Sequence, residues 1–433
     1  MERTFINNLI EWQQSENRKP LIVRGARQVG KTYLIKHFGE KHFQNIHQID
    51  FEKFPNMKSV FDKNLDPKRI ISELEILINQ RIEPGKDLLF FDEVQNAPKA
   101  IMSLRYFYED MPQIHVIAAG SLLEFTLENI SFPVGRVELM DMTPMNFIEF
   151  LNATGNNSAA KFIMDGPKEI SETLHTKMLE LLRQYMFVGG MPECVKIWKS
   201  SESLKEVFKI QDNLIDTFRQ DFSKYAPYTD KRILNQVLNK VSKNIGGQIK
   251  YSQLSDEFTG PSNKKSLELL RQARLIHKIR AASPASLPLC STASDSRFKG
   301  LLLDIGLMRS LNELPVDIEF QKNDLLAMYN GALAEQFVGQ ELISAGMQNL
   351  YYWSREAKSS SAEVDYLITK NSKIYPIEVK GGAAGKLRSM HFILQNNPHI
   401  EKGYVLSTAS YGEIPEQKLT FIPLYFAGTL LKY

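Results

Sequence analysis

The segment Gly25-Ala26-Arg27-Gln28-Val29-Gly30-Lys31-Thr32 has the spacing G-x-x-x-x-G-K-[ST]. Glycines at its two ends let the backbone curl until successive N–H groups point at phosphate oxygens. A helix that begins at Lys31 adds its positive N-terminal end to the same spot. The lysine can reach the outer phosphates of a nucleoside triphosphate, and the Thr32 hydroxyl can bind Mg²⁺. The candidate nucleotide-binding residues are therefore Gly25, Ala26, Arg27, Gln28, Val29, Gly30, Lys31 and Thr32, with the adjoining Tyr33.

Four apolar residues, Leu88-Leu89-Phe90-Phe91, run straight into Asp92-Glu93. Adjacent carboxylates after such a run are hard to explain by packing, because buried charge is costly without a partner. Beside a phosphate loop, Asp92 would anchor the metal and Glu93 would activate water. Having both argues for hydrolysis over passive binding; capping a helix or turn is the other role open to them. A further apolar run ends in Gly120-Ser121, where Ser121 could sense the outer phosphate or cap the next helix. Arg136, in Pro-Val-Gly-Arg-Val-Glu, is either a surface arginine or a source of positive charge for a transferring phosphate, in its own chain or in a neighbouring subunit.

A second acidic constellation lies near the C-terminus, in EVDYLITKNSKIYPIEVKGG. Glu378 and Lys380 stand two apart and share a strand face. A hairpin would bring Asp365 near them, and Glu335 upstream could complete the set. Asp365, Glu378 and Glu335 would form a hard oxygen site for Mg²⁺ or Mn²⁺, with Lys380 positioning a water nucleophile. The same alternation also marks an exposed strand face. Arg355, Lys358, Lys373, Lys386 and Arg388 could bind a phosphate backbone, and Tyr351, Tyr352 and Trp353 could stack on bases or belong to the core.

These residues need elements to hold them. Short apolar runs at Leu21–Val23, Asn45–Phe51, Leu88–Phe91 and Ile114–Ala118 alternate with helix-length segments. That order implies crossover units and a parallel sheet. Residues 147–279 read as mostly helical. Within them, 231–279 reads as helix, turn, helix, a break at Gly260-Pro261, a helix over Ser262–Ala273 and a short strand at Leu275–Ile279. Ala281–Ser296 reads as a loop, Asp324–Ala345 as a helix, and Glu363–Thr369 with Lys373–Val379 as two strands. Gly189-Gly190-Met191-Pro192 marks a turn after a helix, and the spacing assigns it no chemistry.

Bulk properties exclude several classes. With 433 residues, 43% hydrophobic and 24% charged, the chain suits two or three globular domains. A formal net charge of +3 leaves any nucleic-acid contact to local basic patches. Cys194 and Cys290 are far apart, so neither a disulfide scaffold nor a zinc ribbon is expected. No signal peptide and no apolar run of about 18 residues is read, which makes the cytoplasm the expected location and a membrane an unexpected partner.

Taken together, RGARQVGKT, FFDEVQNAP, AAGSLLEF, FPVGRVE, MTPMNFIEFL, YMFVGGMPECV, DTFRQDFSKYA and FKGLLLDIGLM closely resemble a family of prokaryotic AAA-type P-loop ATPases with an appended C-terminal conserved domain of unknown function. The resemblance covers nearly the whole chain. It implies an α/β multidomain protein: a parallel-sheet ATPase core at 1–150, a helical lid at 151–230, a winged-helix-like region at 231–300 and a restriction-endonuclease-like domain at 301–433. It implies ATP as the nucleotide. It places Gly25, Gly30, Lys31 and Thr32 on Walker A, Asp92 and Glu93 on Walker B and Ser121 on the first sensor. Asp365, Glu378 and Lys380 fall on a D…E-x-K nuclease signature, with Glu335 as its helical acid. The expected function is an ATP-hydrolysing ATPase coupled to a DNA-binding or nuclease-like module. The alternative is an ATP-dependent switch whose C-terminal module is inactive and docks a protein partner. Head-to-tail homo-oligomers are common among such ATPases, and Arg136 would then act on a neighbour.

Overall fold

The structure is a computed structural model that describes residues 1–127, 131–225, 229–312, 331–355, 362–382 and 386–432. The chain divides into two compact units: residues 1–143 with 272–274, and residues 144–271 with 275–433.

The first unit is built on five parallel strands, β1 (Leu21–Arg24), β2 (Ile46–Asp50), β3 (Leu88–Asp92), β4 (His115–Ala119) and β5 (Glu138–Asp141). Their order is β2-β3-β4-β1-β5. Helices α1 (Phe5–Gln14), α2 (Lys31–His42), α3 (Pro67–Ile78), α4 (Pro98–Asp110) and the short α5 (Leu123–Leu127) connect and cover them. β3 and β4 are buried along their whole length, as a parallel sheet covered on both faces requires. Successive side chains take opposite faces. Leu89, Phe91, Val116, Ala118 and Ile22 pack with Ile70 and Leu74 of α3 and Ile101, Leu104 and Phe107 of α4. α2 buries Leu34, Ile35 and Phe38. The four expected strands all form, each within a residue or two of its apolar run.

The second unit begins with helices α6 (Phe147–Ala153), α7 (Asn157–Met164), α8 (Glu172–Val188), α9 (Pro192–Ser201), α10 (Leu204–Tyr225), α11 (Lys231–Lys243) and α12 (Gly260–Gln272). Two details differ from the sequence reading. Residues 244–259 hold only a single 3₁₀ turn at Tyr251–Gln253 in place of a helix. Gly260-Pro261 is no break but the first turn of α12. Proline is tolerated there because the N–H it lacks would have no helical partner anyway. The GGMP turn does separate α8 from α9.

Strands β6 (Ile276–Ala281) and β7 (Ser294–Leu302) then pair antiparallel, and residues 282–293 between them form a loop with a 3₁₀ turn at Leu289–Thr292. After α13 (Gly306–Leu311) come α14 (Ala332–Ser344), β8 (Tyr351–Ser354), β9 (Glu363–Lys370), β10 (Lys373–Val379), α15 (Arg388–Asn396), β11 (Gly403–Ser407), β12 (Gly412–Ile414) and β13 (Leu419–Pro423). The helix expected over 324–345 is seen from Ala332; its residues 324–330 lie outside the described ones. All these strands share one mixed sheet, in the order β12-β13-β11-β10-β9-β8-β6-β7. The described part of the protein is thus α/β, with a parallel-sheet core, a helical middle and a mixed sheet toward the C-terminus.

Candidate active site

In parallel α/β sheets, ligands bind beyond the carboxyl ends of the strands. The strand order sets β4 between β3 and β1, so three loops converge there: Gly25–Gly30 after β1, Asp92-Glu93 at the end of β3, and Gly120-Ser121 after β4. The first loop is tightly wound. Gly30 has φ 96° and opens α2, and Gln28 has φ 63°. A Cβ on Gly25 would lie 2.4 Å from the carbonyl oxygen of Met142, so only glycine fits.

Lys31 is buried at the start of α2, and its ammonium donates to the carbonyls of Gly25 (2.9 Å) and Ala26 (2.8 Å). Burial lowers its pKa to about 8, although Glu93 and Asp92 pull the other way. The Thr32 hydroxyl donates to Asp92 Oδ1 at 3.1 Å. Gln48 Nε2 donates to Asp92 Oδ2 at 2.8 Å, and the Glu93 backbone N–H to Oδ1 at 3.1 Å. Burial, and then the neighbouring Glu93, raise the Asp92 carboxyl to about 6. Glu93 sits in the left-handed region (φ 48°) and its carboxylate accepts from Gln95 Nε2. Such a conformation is costly for a residue with a Cβ and persists only where its surroundings hold it. Gln95 in turn approaches Gly120: a Cβ there would meet Gln95 Oε1 at 2.2 Å.

Ser121 is buried, and its hydroxyl accepts from Arg27 Nε of the phosphate loop at 3.3 Å. Tyr33 is 58% exposed and stacks on His37 one turn further along α2. Arg136 is elsewhere. It precedes β5, whose first residue, Glu138, pairs with Leu21 at the start of β1, while the phosphate loop leaves the other end of that strand. Its guanidinium bonds Glu109 at 2.8 Å on the surface. Arg136 therefore does not reach the phosphate loop of its own chain. The sequence reading missed a different arginine. Arg274 lies far along the chain, yet it bonds Glu124 (2.7 Å) and Asp141 (2.8 Å), beside the bidentate Arg24–Asp141 pair. It is near enough to Lys31 to oppose its charge.

The second acidic group is also brought together. β9 and β10 form the expected hairpin, and Asp365 Oδ2 accepts from the Val379 N–H at 2.8 Å. Lys380 Nζ bonds Glu378 Oε1. Burial and Asp365 raise Glu378 to about 7, and burial and Asp365 likewise raise Glu335 to about 8. At the centre is a residue the motif did not include. Lys299 of β7 bonds Glu335 Oε2 (3.3 Å), Asp365 Oδ1 (3.3 Å) and Glu363 Oε1 (2.5 Å). Only burial could have flagged it, and burial of one lysine inside Arg-Phe-Lys-Gly-Leu is not visible from sequence. Of the two roles open to Tyr351 and Tyr352, the structure gives the core: both are buried. Trp353 stacks on Phe392, Arg355 lies over the same ring, and Lys373 is paired with Glu401. Lys386 and Arg388 are exposed, and Lys358 lies outside the described residues.

With this geometry in place, the comparisons define the class. Residues 17–151 match the AAA domain family, residues 179–317 a domain of unknown function (DUF8612), and residues 330–426 another (DUF4143). The protein carries an AAA-type P-loop ATPase domain, a nucleotide-binding fold, followed by a C-terminal DUF4143 domain. Among solved structures the chain is similar to Aeropyrum pernix ORC1 in complex with DNA, at 10% identity over 74% of this chain and 95% of that one, TM-score 0.30. It is also similar to AMPPCP-bound DnaA from Aquifex aeolicus, at 13% identity over 61% and 85%, TM-score 0.31. A third is the Thermotoga maritima RuvB Holliday junction branch migration motor, at 15% identity over 64% and 90%, TM-score 0.31. No curated protein matches the sequence. No described helix is long and apolar enough to cross a membrane.

Proposed function

We propose that the protein hydrolyses ATP at the loop Gly25–Tyr33, and that the nucleotide cycle controls a C-terminal unit that contacts DNA. The hydrogen bond between Thr32 and Asp92 carries the first part. It brings a hydroxyl from the phosphate-loop helix to a carboxylate at a strand tip, and this pair of hard oxygens suits Mg²⁺. When bound, Mg²⁺ would neutralise the charge that develops on the outer phosphates. Lys31 gives up the Gly25 and Ala26 carbonyls and extends toward those phosphates. Asp92, held by Thr32 and Gln48, would hold the metal together with Thr32. Glu93, turned by its left-handed backbone, takes the proton of the attacking water. Ser121, bonded to Arg27 of the phosphate loop, would sense a change at the outer phosphate. Arg136, remote from this loop, would serve a neighbouring copy in a homo-oligomer.

Turnover measured with Glu93→Gln tests the hydrolytic part. Loss of at least 100-fold, with ATP still bound, is expected of a general base. Unchanged turnover would reduce the protein to a nucleotide binder. The DNA part is supported by exposed Lys264 and Lys265 on α12, a helix that precedes the β6–β7 hairpin, and by exposed Lys386 and Arg388. Binding of labelled duplex at falling salt tests it, since phosphate contacts give a steep salt dependence. A flat response would leave a protein partner as the ligand of that unit.

A further inference from the structure

Lys299 belongs to β7, and two of its three partners, Glu363 and Asp365, belong to β9. In the sheet, β6 and β8 stand between those strands. Three strand spacings amount to roughly 14 Å, more than twice the length of a lysine side chain. Lysine and carboxylate must therefore both extend across the face of β6 and β8, so the contact ties together strands that are not neighbours. The third partner, Glu335, comes from α14. Three carboxylates from three positions in the chain thus meet one ammonium, whose side chain is 2% exposed and lies 5.3 Å from the Tyr352 ring centre.

Carboxylates so placed repel one another unless a cation holds them. A divalent metal would be one solution, and it needs several oxygens converging at 2.0–2.6 Å, about the range for Mg²⁺ and Ca²⁺. Here several of the oxygens are already committed, and Glu378 Oε2 is the one buried carboxylate oxygen of the group with no hydrogen-bond partner. Asp365 Oδ1 faces Lys299 and Oδ2 accepts from Val379, and Glu378 Oε1 faces Lys380. Among the described residues, no three acidic, histidine or cysteine side chains are grouped to hold a metal. A metal entering between Glu335 and Asp365 would also meet the buried ammonium, and a lysine enclosed by three carboxylates is held far more firmly than a surface one.

We infer that Lys299 is the resident cation of this pocket, standing where a divalent metal would otherwise bridge Glu335 and Asp365, so that the C-terminal unit keeps this acidic cluster together without metal. The pocket fastens β7 to β9 and α14. The inference is independent of ATP hydrolysis, since a different unit of the chain carries that activity.

The test is calorimetric titration of Mn²⁺ into the full chain, free of nucleotide and in an Asp92→Asn background that disables the ATPase metal site. This protein is expected to bind no Mn²⁺ at submillimolar concentration. Adding Lys299→Met should create one Mn²⁺ site, at least tenfold tighter than any in the Asp92→Asn protein, and further change of Asp365→Asn should remove it. Mn²⁺ binding by the Asp92→Asn protein that Asp365→Asn abolishes would overturn the inference. So would a folded Lys299→Met variant that gains no site. If Lys299→Met does not fold by circular dichroism, the titration of the Asp92→Asn protein decides alone.

Discussion

The Thr32 hydroxyl and the Asp92 carboxylate, sixty positions apart, are joined by a hydrogen bond of 3.1 Å. Asp92 keeps its place at a cost, because burial raises its pKa from 3.8 to about 6. A carboxyl raised in the folded state is least costly when protonated. The contribution of this one group to stability is therefore most favourable below pH 4, falls as pH rises from about 4 to 6, and stays reduced above that. Asp92→Asn removes the penalty. Urea melts should show the variant more stable by about 1–2 kcal/mol at pH 7 and equal to its parent near pH 4. Its Mg²⁺-dependent nucleotide turnover should be lost.

Nucleotide affinity should peak between the two shifted groups. Below about pH 6 Asp92 is protonated and could no longer hold a metal. Above about pH 8 Lys31 loses its charge. Fluorescent-nucleotide titrations with Mg²⁺ from pH 5 to 9 should trace a bell. Lys31→Met should weaken binding by roughly 10- to 100-fold, the worth of a charged hydrogen bond, and flatten the alkaline limb.

Arg136→Ala should leave nucleotide affinity within about twofold, because the arginine lies beside the start of β1 and not its end. Its exposed pair with Glu109 should add little to stability. Fluorescent-nucleotide titration of the variant checks the affinity.

Gly190→Ala should be severe. A Cβ there would stand 1.9 Å from the Met145 carbonyl oxygen, which is backbone and cannot step aside. The Gly190 N–H also donates to buried Asp304 at 2.6 Å. A loss of about 3 kcal/mol or more is expected. Gly155→Ala is the control: its φ of 86° strains alanine but nothing lies within 4 Å. About 1–2 kcal/mol should be lost there. Thermal melts of both variants separate clash from strain.

The nucleotide loop was legible because its chemistry is local: Gly25, Gly30, Lys31 and Thr32 lie within eight residues, and the strand before them is an unbroken apolar run. Asp92 and Glu93 were legible for the same reason. Gln48, Arg274 and Lys299 were not. Each reaches its partner through tertiary packing alone, and none stands in a pattern that differs from an ordinary surface residue. Pro261 misled because its sequence signal, a helix stop, is also a helix start. Tyr351 and Tyr352 stayed ambiguous because aromatic residues next to basic ones look alike in a binding face and in a strand whose neighbours cover it.

The eight-stranded sheet has a genetic consequence. β6 and β7 lie within residues 179–317 and β8 to β13 within residues 330–426, yet all are strands of one sheet. β8 pairs with β6 on one side and β9 on the other. A gene fragment encoding either family segment alone would leave that edge bare and its amides open to pairing with other chains. The two segments share one sheet, so cutting the chain between them would split that sheet and would not release two folded pieces.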